Sequence, residues 1–202
     1  MAGTLYLIRH GETEGAETKR YKGHTDVPLS SNGEDQMRRV GLQLAKEVRL
    51  DAIYASDLSR AHRSAELVAN PHALTPTVLP EFRERHFGRW EGLTFTECRE
   101  QYPEDWAAWL KNPLEAAPVG GETTRQVHDR VIPALEELIR RHQDDTFAIV
   151  SHGGTNRVIL CHLLGMPLEH IFRIEQTFGA VNRVELWDGL PITTLVNGVY
   201  WK

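Results

Sequence analysis

Cysteine is scarce in this chain, and long hydrophobic runs are missing. Cys98 and Cys161 lie far apart and fit no CxxC or Cys/His ligand pattern, which argues against a disulfide scaffold and predicts two reduced, buried thiols. Only the apolar run 5–8 precedes Arg9, too short for a secretory signal, and no run approaches the roughly 18 apolar residues of a membrane span. We therefore expect a cytoplasmic protein without a membrane partner.

The chain also has no excess of positive charge. The formal net charge is −5, which argues against nucleic acid as a partner. An anionic substrate would then be held by a local positive pocket and not by the field of the whole protein. The 202 residues contain no internal repeat and no long linker, and they suffice for one core without structural metal. We expect a single domain over residues 1–202.

Strand-like runs alternate with helical patterns along most of the chain. The runs that predict strands are 4–8, 52–55, 147–151, 181–187 and 193–196. Four helices are predicted. The first starts at a capping box at 31–34 and has an apolar face that extends to Val48, and the others cover 58–69, 123–139 and 157–164. This alternation is typical of βαβ units. It predicts an α/β fold, a three-layer α/β/α sandwich with a mostly parallel central sheet.

Residues 71–121 differ from the rest of the chain. They are rich in proline, hold three of the five tryptophans, and show only short periodic patches. We interpret this segment as a lid-like insertion folded over the carboxyl edge of the sheet, where substrate-selecting elements are commonly found.

Two similar motifs follow two of the predicted strands. Arg9-His10-Gly11 follows strand 4–8, and His152-Gly153-Gly154 follows strand 147–151. Ligands of open α/β sheets bind at the carboxyl ends of the strands, so neighbouring strands would bring His10 and His152 together. Arginine suits phosphate, histidine is a nucleophile near neutral pH, and the Gly153 backbone at a helix start suits an anion.

Two further segments carry charged side chains that could complete such a site. Arg60 lies in the first turn of helix 58–69 and could converge with Arg9 on one phosphate. Residues 81–92 alternate charges with aromatic side chains and could place a carboxyl group over the pocket. The pattern does not distinguish Glu81, Glu84 and Glu91 for this role.

The four motifs together, in this order, resemble the histidine phosphatase superfamily, which includes cofactor-dependent phosphoglycerate mutases and small phosphomonoesterases. The resemblance extends from Leu5 to about Leu186. It implies that His10 is the nucleophile, that Arg9 and Arg60 hold phosphate with His152, that Glu84 is the proton donor, and that Gly23 lies close to the transferred group. It implies no metal and no other cofactor.

One position departs from the family pattern. Many relatives carry a Trp-Asn pair where this chain has Gly15-Ala16, and Ala16 cannot donate an amide hydrogen bond. Either a backbone group or Thr13 replaces that contact, or phosphate binding is weaker.

The resemblance implies a phosphomonoesterase that acts on a small phosphorylated metabolite through a phosphohistidine. The loop 23–30 is most similar to α-ribazole phosphatases of cobalamin biosynthesis. A phosphomonoesterase for sugar phosphates, or one with broad tolerance, is equally compatible with these residues. A phosphoglycerate mutase is the alternative, and a phosphate-binding module without catalysis is a further reading. Whether the protein forms a homodimer also stays open.

Overall fold

The protein, represented by a computed structural model that describes residues 3–187 and 190–202, is built around a six-stranded sheet. The strands are β1 (Gly3–Arg9), β2 (Ala52–Ala55), β3 (Thr77–Val78), β4 (Thr146–Ser151), β5 (Ala180–Trp187) and β6 (Leu190–Val199). Their spatial order is β3-β2-β4-β1-β5-β6. The first four strands in this order are parallel, whereas β5 is antiparallel to β1 and β6 is antiparallel to β5. The predicted, mostly parallel sheet is confirmed.

Helices cover both faces of this sheet. They are α1 (Ser31–Glu47), α2 (Ser59–Ala69), α3 (Phe95–Gln101), α4 (Pro103–Lys111), α5 (Thr124–Arg141) and α6 (Gly153–Leu163). Because side chains alternate along a strand, Tyr6 and Ile8 of β1 join one core with α1 and α2, while Leu5 and Leu7 join another with α5 and α6. The α/β/α layering is therefore confirmed.

The chain leaves β1 and β4 toward opposite faces of the sheet. The helix after β1 is α1, on one face, and the helix after β4 is α6, on the other. The two strands are parallel neighbours, with Arg9 opposite Ser151. Diverging connections of this kind open a crevice at the carboxyl ends of the strands, which is where such sheets bind ligands.

Several predicted boundaries differ from the structure, among them the start of α6, which is Gly153 and not residue 157. The N-cap of α1 is Ser30, whose hydroxyl accepts from the Gly33 N–H, and not Ser31 as the capping box suggested. The helix ends at Glu47, so Val48 is its C-cap and not part of its apolar face. The last strand begins at Leu190 and ends at Val199, which is longer on both sides than 193–196.

The segment 71–121 builds two different structures. Its start contributes β3, which pairs with β2 as an edge strand of the sheet. Its middle forms a small hydrophobic cluster of its own around Trp90, Cys98 and Trp106, near α3 and α4. Both cysteines of the chain are free and buried. Among the described residues, no helix is long and apolar enough to cross a membrane.

Candidate active site

His10 follows β1 directly and lines a cavity of 310 Å³ at the carboxyl ends of the strands. Its Nδ1 lies 2.7 Å from the carbonyl oxygen of Gly11, and because a carbonyl only accepts, Nδ1 carries the proton. Nε2 therefore keeps its lone pair. Burial, together with the charges of Arg60 and Arg9, lowers the pKa of His10 well below its usual value. The ring is thus neutral near pH 7, the form in which imidazole is a nucleophile.

His152 follows β4 and lies against His10, with the two ring centroids 5.1 Å apart. The prediction that the two histidines meet is confirmed, because β1 and β4 are neighbours. His152 is fully buried, and burial and the charge of Arg60 lower its pKa well below the usual value.

Ser56 holds the ring of His152. The Ser56 hydroxyl oxygen accepts from the Leu58 N–H at 3.3 Å and lies 2.9 Å from His152 Nε2. The other ring nitrogen, Nδ1, is buried and has no hydrogen-bond partner among residues 3–187 and 190–202. A buried polar atom without a partner is suited to a ligand that enters the site.

Arg9, at the end of β1, is held by residues that precede β5. One terminal nitrogen donates to the Gln176 carbonyl at 2.5 Å, and the guanidinium carbon lies 4.0 Å from the centroid of the Phe178 ring. Its Nε is buried without a hydrogen-bond partner in the described part of the chain. Burial lowers the pKa of Arg9 to about 10, so the side chain is still charged at neutral pH. Gly153 lies beside it, since a Cβ there would be 3.3 Å from Arg9 Nε.

Arg60, in the first turn of α2, is buried, and a turn of the main chain orients its guanidinium group. It donates to the carbonyl oxygens of Gly23 at 2.6 Å and Thr25 at 3.0 Å. Gly23 lines the cavity with a φ of +52°, and a Cβ at this position would overlap the Glu91 carboxylate. Only glycine fits there, which explains why the turn can pass so close to the site.

Glu84 binds the beginning of α6. Its carboxylate accepts from the Gly154 N–H at 3.0 Å, the Thr155 N–H at 3.2 Å and the Arg85 N–H at 2.8 Å. Its own carbonyl accepts from Arg130. The N-terminus of a helix attracts negative charge, so this arrangement holds the carboxylate at the mouth of the site.

The three candidate carboxylates of segment 81–92 therefore have different surroundings. Glu81 is exposed on the surface. Glu91 binds the main chain of His24, Thr25 and Phe87. Of the three, Glu84 lines the cavity that contains His10.

Positive charge dominates this cavity. Six cationic side chains and one carboxylate, that of Glu84, line it among the described residues; the cations are Arg9, Lys19, Arg20, Lys22, Arg60 and Arg157. The local positive pocket expected for an acidic protein is therefore present. A larger, open groove of 730 Å³ beside α1 and α2 contains none of the motif residues.

A second cavity of 190 Å³, here called the apolar chamber, adjoins the first. The two share Arg9, Tyr21, Glu84, Phe87 and Arg157. The rest of its lining is mostly apolar: besides Arg85, Thr124, Gly153 and Gly154, it consists of Trp109, Val127, Val158, Ile171 and Phe172. Glu84 thus stands on the wall between a cationic cavity and an apolar one.

Several residues of the site were not predicted from the sequence. Lys22 is adjacent to Gly23, and Arg157 is one helical turn after Gly153, so both were within reach of motif reasoning. Phe178 carries no sequence signal, because it meets Arg9 only through the folding of the chain before β5.

Comparison with known proteins agrees with this geometry. The family model for the histidine phosphatase superfamily (branch 1) matches residues 5–198. Phosphoserine phosphatase 1 of Hydrogenobacter thermophilus is 35% identical over 178 residues, which cover 88% of this chain and 82% of the relative. Adenosylcobalamin/alpha-ribazole phosphatase of Escherichia coli is 32% identical over 174 residues, which cover 85% of each chain. The structure of Bacillus stearothermophilus YhfR superposes with a TM-score of 0.91 at 32% identity and covers 100% of both chains. The chain belongs to the histidine phosphatase superfamily and is a phosphatase.

Proposed function

We propose that this phosphatase is a metal-independent phosphomonoesterase that transfers the phosphoryl group to Nε2 of His10. The observation that carries the proposal is the state of the ring: Nδ1 donates to the Gly11 carbonyl, and the lowered pKa keeps the imidazole neutral. The same hydrogen bond stabilises the positive charge that develops on the ring when Nε2 bonds to phosphorus. A phosphate-binding module without catalysis would not need this arrangement.

In the first step, the bond between phosphorus and the ester oxygen breaks as Nε2 attacks. Glu84 gives its proton to the departing alkoxide, a role worth roughly 10²–10⁴-fold in rate. The position of Glu84 between the two cavities supports this role, because the ester oxygen must lie between the phosphoryl group and the alcohol.

In the second step, water attacks phosphorus and the bond to Nε2 breaks. The water proton passes to the Glu84 carboxylate, inorganic phosphate leaves, and His10 regains its lone pair. Arg9, Arg60 and His152 stabilise the transferred group in both steps, since charge spreads over its equatorial oxygens. The unpartnered Arg9 Nε and His152 Nδ1 support this assignment.

The cationic wall of the cavity supports a reaction without a metal ion. Six positive side chains, opposed by a single carboxylate, repel a divalent cation and supply the positive charge that it would otherwise provide. Turnover is expected to be the same with and without EDTA, and loss of activity on chelation would contradict this part of the proposal.

For the substrate we propose α-ribazole 5′-phosphate. Its alcohol carries an aromatic base, which the apolar chamber suits in size and character. The Escherichia coli relative is named as an alpha-ribazole phosphatase, whereas the Hydrogenobacter relative is named as a phosphoserine phosphatase. Phosphoserine has a small, charged alcohol portion that leaves the chamber unfilled.

The test is kcat/KM for phosphate release, in EDTA, from α-ribazole 5′-phosphate, phosphoserine and 3-phosphoglycerate. We expect the ribazole ester to be preferred by about 100-fold or more. A preference for phosphoserine would overturn the substrate and leave the mechanism intact. Conversion of 3-phosphoglycerate to 2-phosphoglycerate, without phosphate release, would favour a mutase instead.

A further inference from the structure

The loop 13–22 places a lysine beside the nucleophile. Lys22 lines the same cavity as His10, Arg9 and Arg60. Its charge contributes to the lowered pKa of His10, and its own pKa is lowered by burial and by the charges of Arg60 and Arg9. The four groups are therefore close enough to affect one another's protonation.

The ammonium group of Lys22 is held by neutral oxygens. It donates to the Thr13 hydroxyl and, at 2.7 Å, to the Glu14 carbonyl. The carboxylates of Glu17 and Glu12 act on it only as nearby charges. No ion pair of Lys22 with a carboxylate occurs in the described residues. An ammonium group has three N–H donors, so two are used and one is left.

Position 16 of the loop has no side-chain donor to offer. Ala16 lines the cavity with a methyl group only. Of the substitutes expected for the missing asparagine, the Thr13 hydroxyl lines the cavity and accepts a hydrogen bond from the Lys22 ammonium. The pocket thus lacks the amide donor of position 16 and contains, besides Arg9 and Arg60, the cation of Lys22.

We propose that Lys22 is a third cationic contact to the transferred phosphoryl group and compensates for alanine at position 16. Its third N–H donates to a phosphoryl oxygen while the contacts to Thr13 and Glu14 keep the ammonium in place. Lysine acts on phosphate as a point charge and needs no defined fork geometry, so it can serve from the edge of the pocket. This inference rests on the proposed function, because it concerns the phosphoryl group bound at His10.

The test measures binding of inorganic phosphate by calorimetry, separately from turnover. Lys22→Gln should weaken phosphate binding by about 10- to 100-fold, the usual size of a lost hydrogen bond to a charged group. Lys22→Arg should stay within about threefold of the wild type. Adding Ala16→Asn to Lys22→Gln should recover part of the loss. Lys46→Gln, which removes an exposed charge far along α1, is the control and should change nothing.

Lys19→Gln separates direct contact from the general field of the cavity. Lys19 lines the same cavity but is exposed. It should lose less affinity than Lys22→Gln, because solvent screens its charge. An equal loss in both variants, or wild-type affinity in Lys22→Gln, would overturn the proposal.

Two further measurements keep the test decisive. If Lys22→Gln does not fold, phosphate affinity is measured against pH in the wild type and in Lys22→Arg. With arginine, the loss of affinity at alkaline pH should move to higher pH. Identical pH profiles would overturn the proposal. Both proteins keep the charged groups near position 22, namely Arg9, Arg60, Glu12 and Glu17, and the titratable His10. Failure of the proposed function is recognised separately, as a wild-type protein that binds phosphate without hydrolysing any ester.

Discussion

Glu91 and Arg60 hold the same turn of the main chain from opposite sides. The Glu91 carboxylate accepts from the N–H groups of His24 and Thr25, each at 2.8 Å, and from the Thr25 hydroxyl at 2.6 Å. The carbonyl oxygens of Gly23 and Thr25 in turn accept from the Arg60 guanidinium. Glu91 is therefore a positioning residue, because it fixes the acceptors that aim Arg60 into the cavity.

Glu91→Gln should lower kcat/KM by about 10- to 100-fold and weaken phosphate binding in parallel. The amide cannot accept all the hydrogen bonds of the carboxylate, so the turn loosens and Arg60 loses its orientation. Glu81→Gln, an exposed change of the same type in the same segment, is the matched control and should have no effect. Normal activity in Glu91→Gln would refute the positioning role.

Gly154→Ala should act mainly on kcat and much less on the free energy of unfolding. A Cβ at this position would lie 2.4 Å from Glu84 Oε1, which is the end of a side chain that can move aside. The carboxyl group then leaves its place at the start of α6, and proton transfer slows by about 10-fold or more. Glu84→Gln supplies the comparison: adding Gly154→Ala to it should cost no further activity, and a full additional loss would show that the glycine acts by another route.

Stability should fall as the pH drops from 7 to 5. The pKa values of His10 and His152 are well below the usual 6.5 in the folded protein, and those of His24 and His72 are also lowered. The unfolded chain therefore binds protons in this range that the folded protein does not, which favours unfolding at lower pH. Each fully suppressed histidine contributes up to about 1.4 kcal/mol per pH unit to the free energy of unfolding. The free energy of unfolding, measured with urea at each pH, should depend less steeply on pH for His10→Gln than for the wild type. Equal pH dependences would contradict the burial argument.

Trp109→Ala should change the choice of substrate. Trp109 lines the apolar chamber and contacts Phe172, with ring centroids 5.6 Å apart. Its removal should lower kcat/KM by about 10-fold or more for esters whose alcohol carries an aromatic group. The kcat/KM of small esters should stay nearly unchanged. Leu110→Ala, at an exposed neighbour on the same helix, is the control. An equal loss for all esters would mean that Trp109 serves stability alone.

The strand ends and their motifs could be predicted because their signals are local. A short apolar run followed by His-Gly identified the ends of both β1 and β4, and the parallel pairing of these strands then brought His10 and His152 together. The choice among Glu81, Glu84 and Glu91 could not be made in this way. Segment 81–92 is irregular, and the direction of each side chain depends on distant partners such as Gly154.

Other features escaped prediction because no local pattern specifies them. The two residues of β3 are too few for a periodicity, and they form a strand only because β2 offers a free edge. Phe178 precedes β5 in an irregular stretch, and its contact with Arg9 joins residues that are far apart in the chain. The position of Lys22 likewise follows from its bonds to Thr13 and Glu14.

The central claim, nucleophilic attack by Nε2 of His10, is tested most directly by trapping the phosphoenzyme. The enzyme is mixed with a ³²P-labelled ester in EDTA, quenched in alkali within milliseconds, digested and analysed by mass spectrometry. The account predicts one labelled peptide with phosphate on His10, formed in the Glu84→Gln variant as well but turned over more slowly there, and absent in His10→Ala. Label on another residue, or full turnover by His10→Ala, would contradict it.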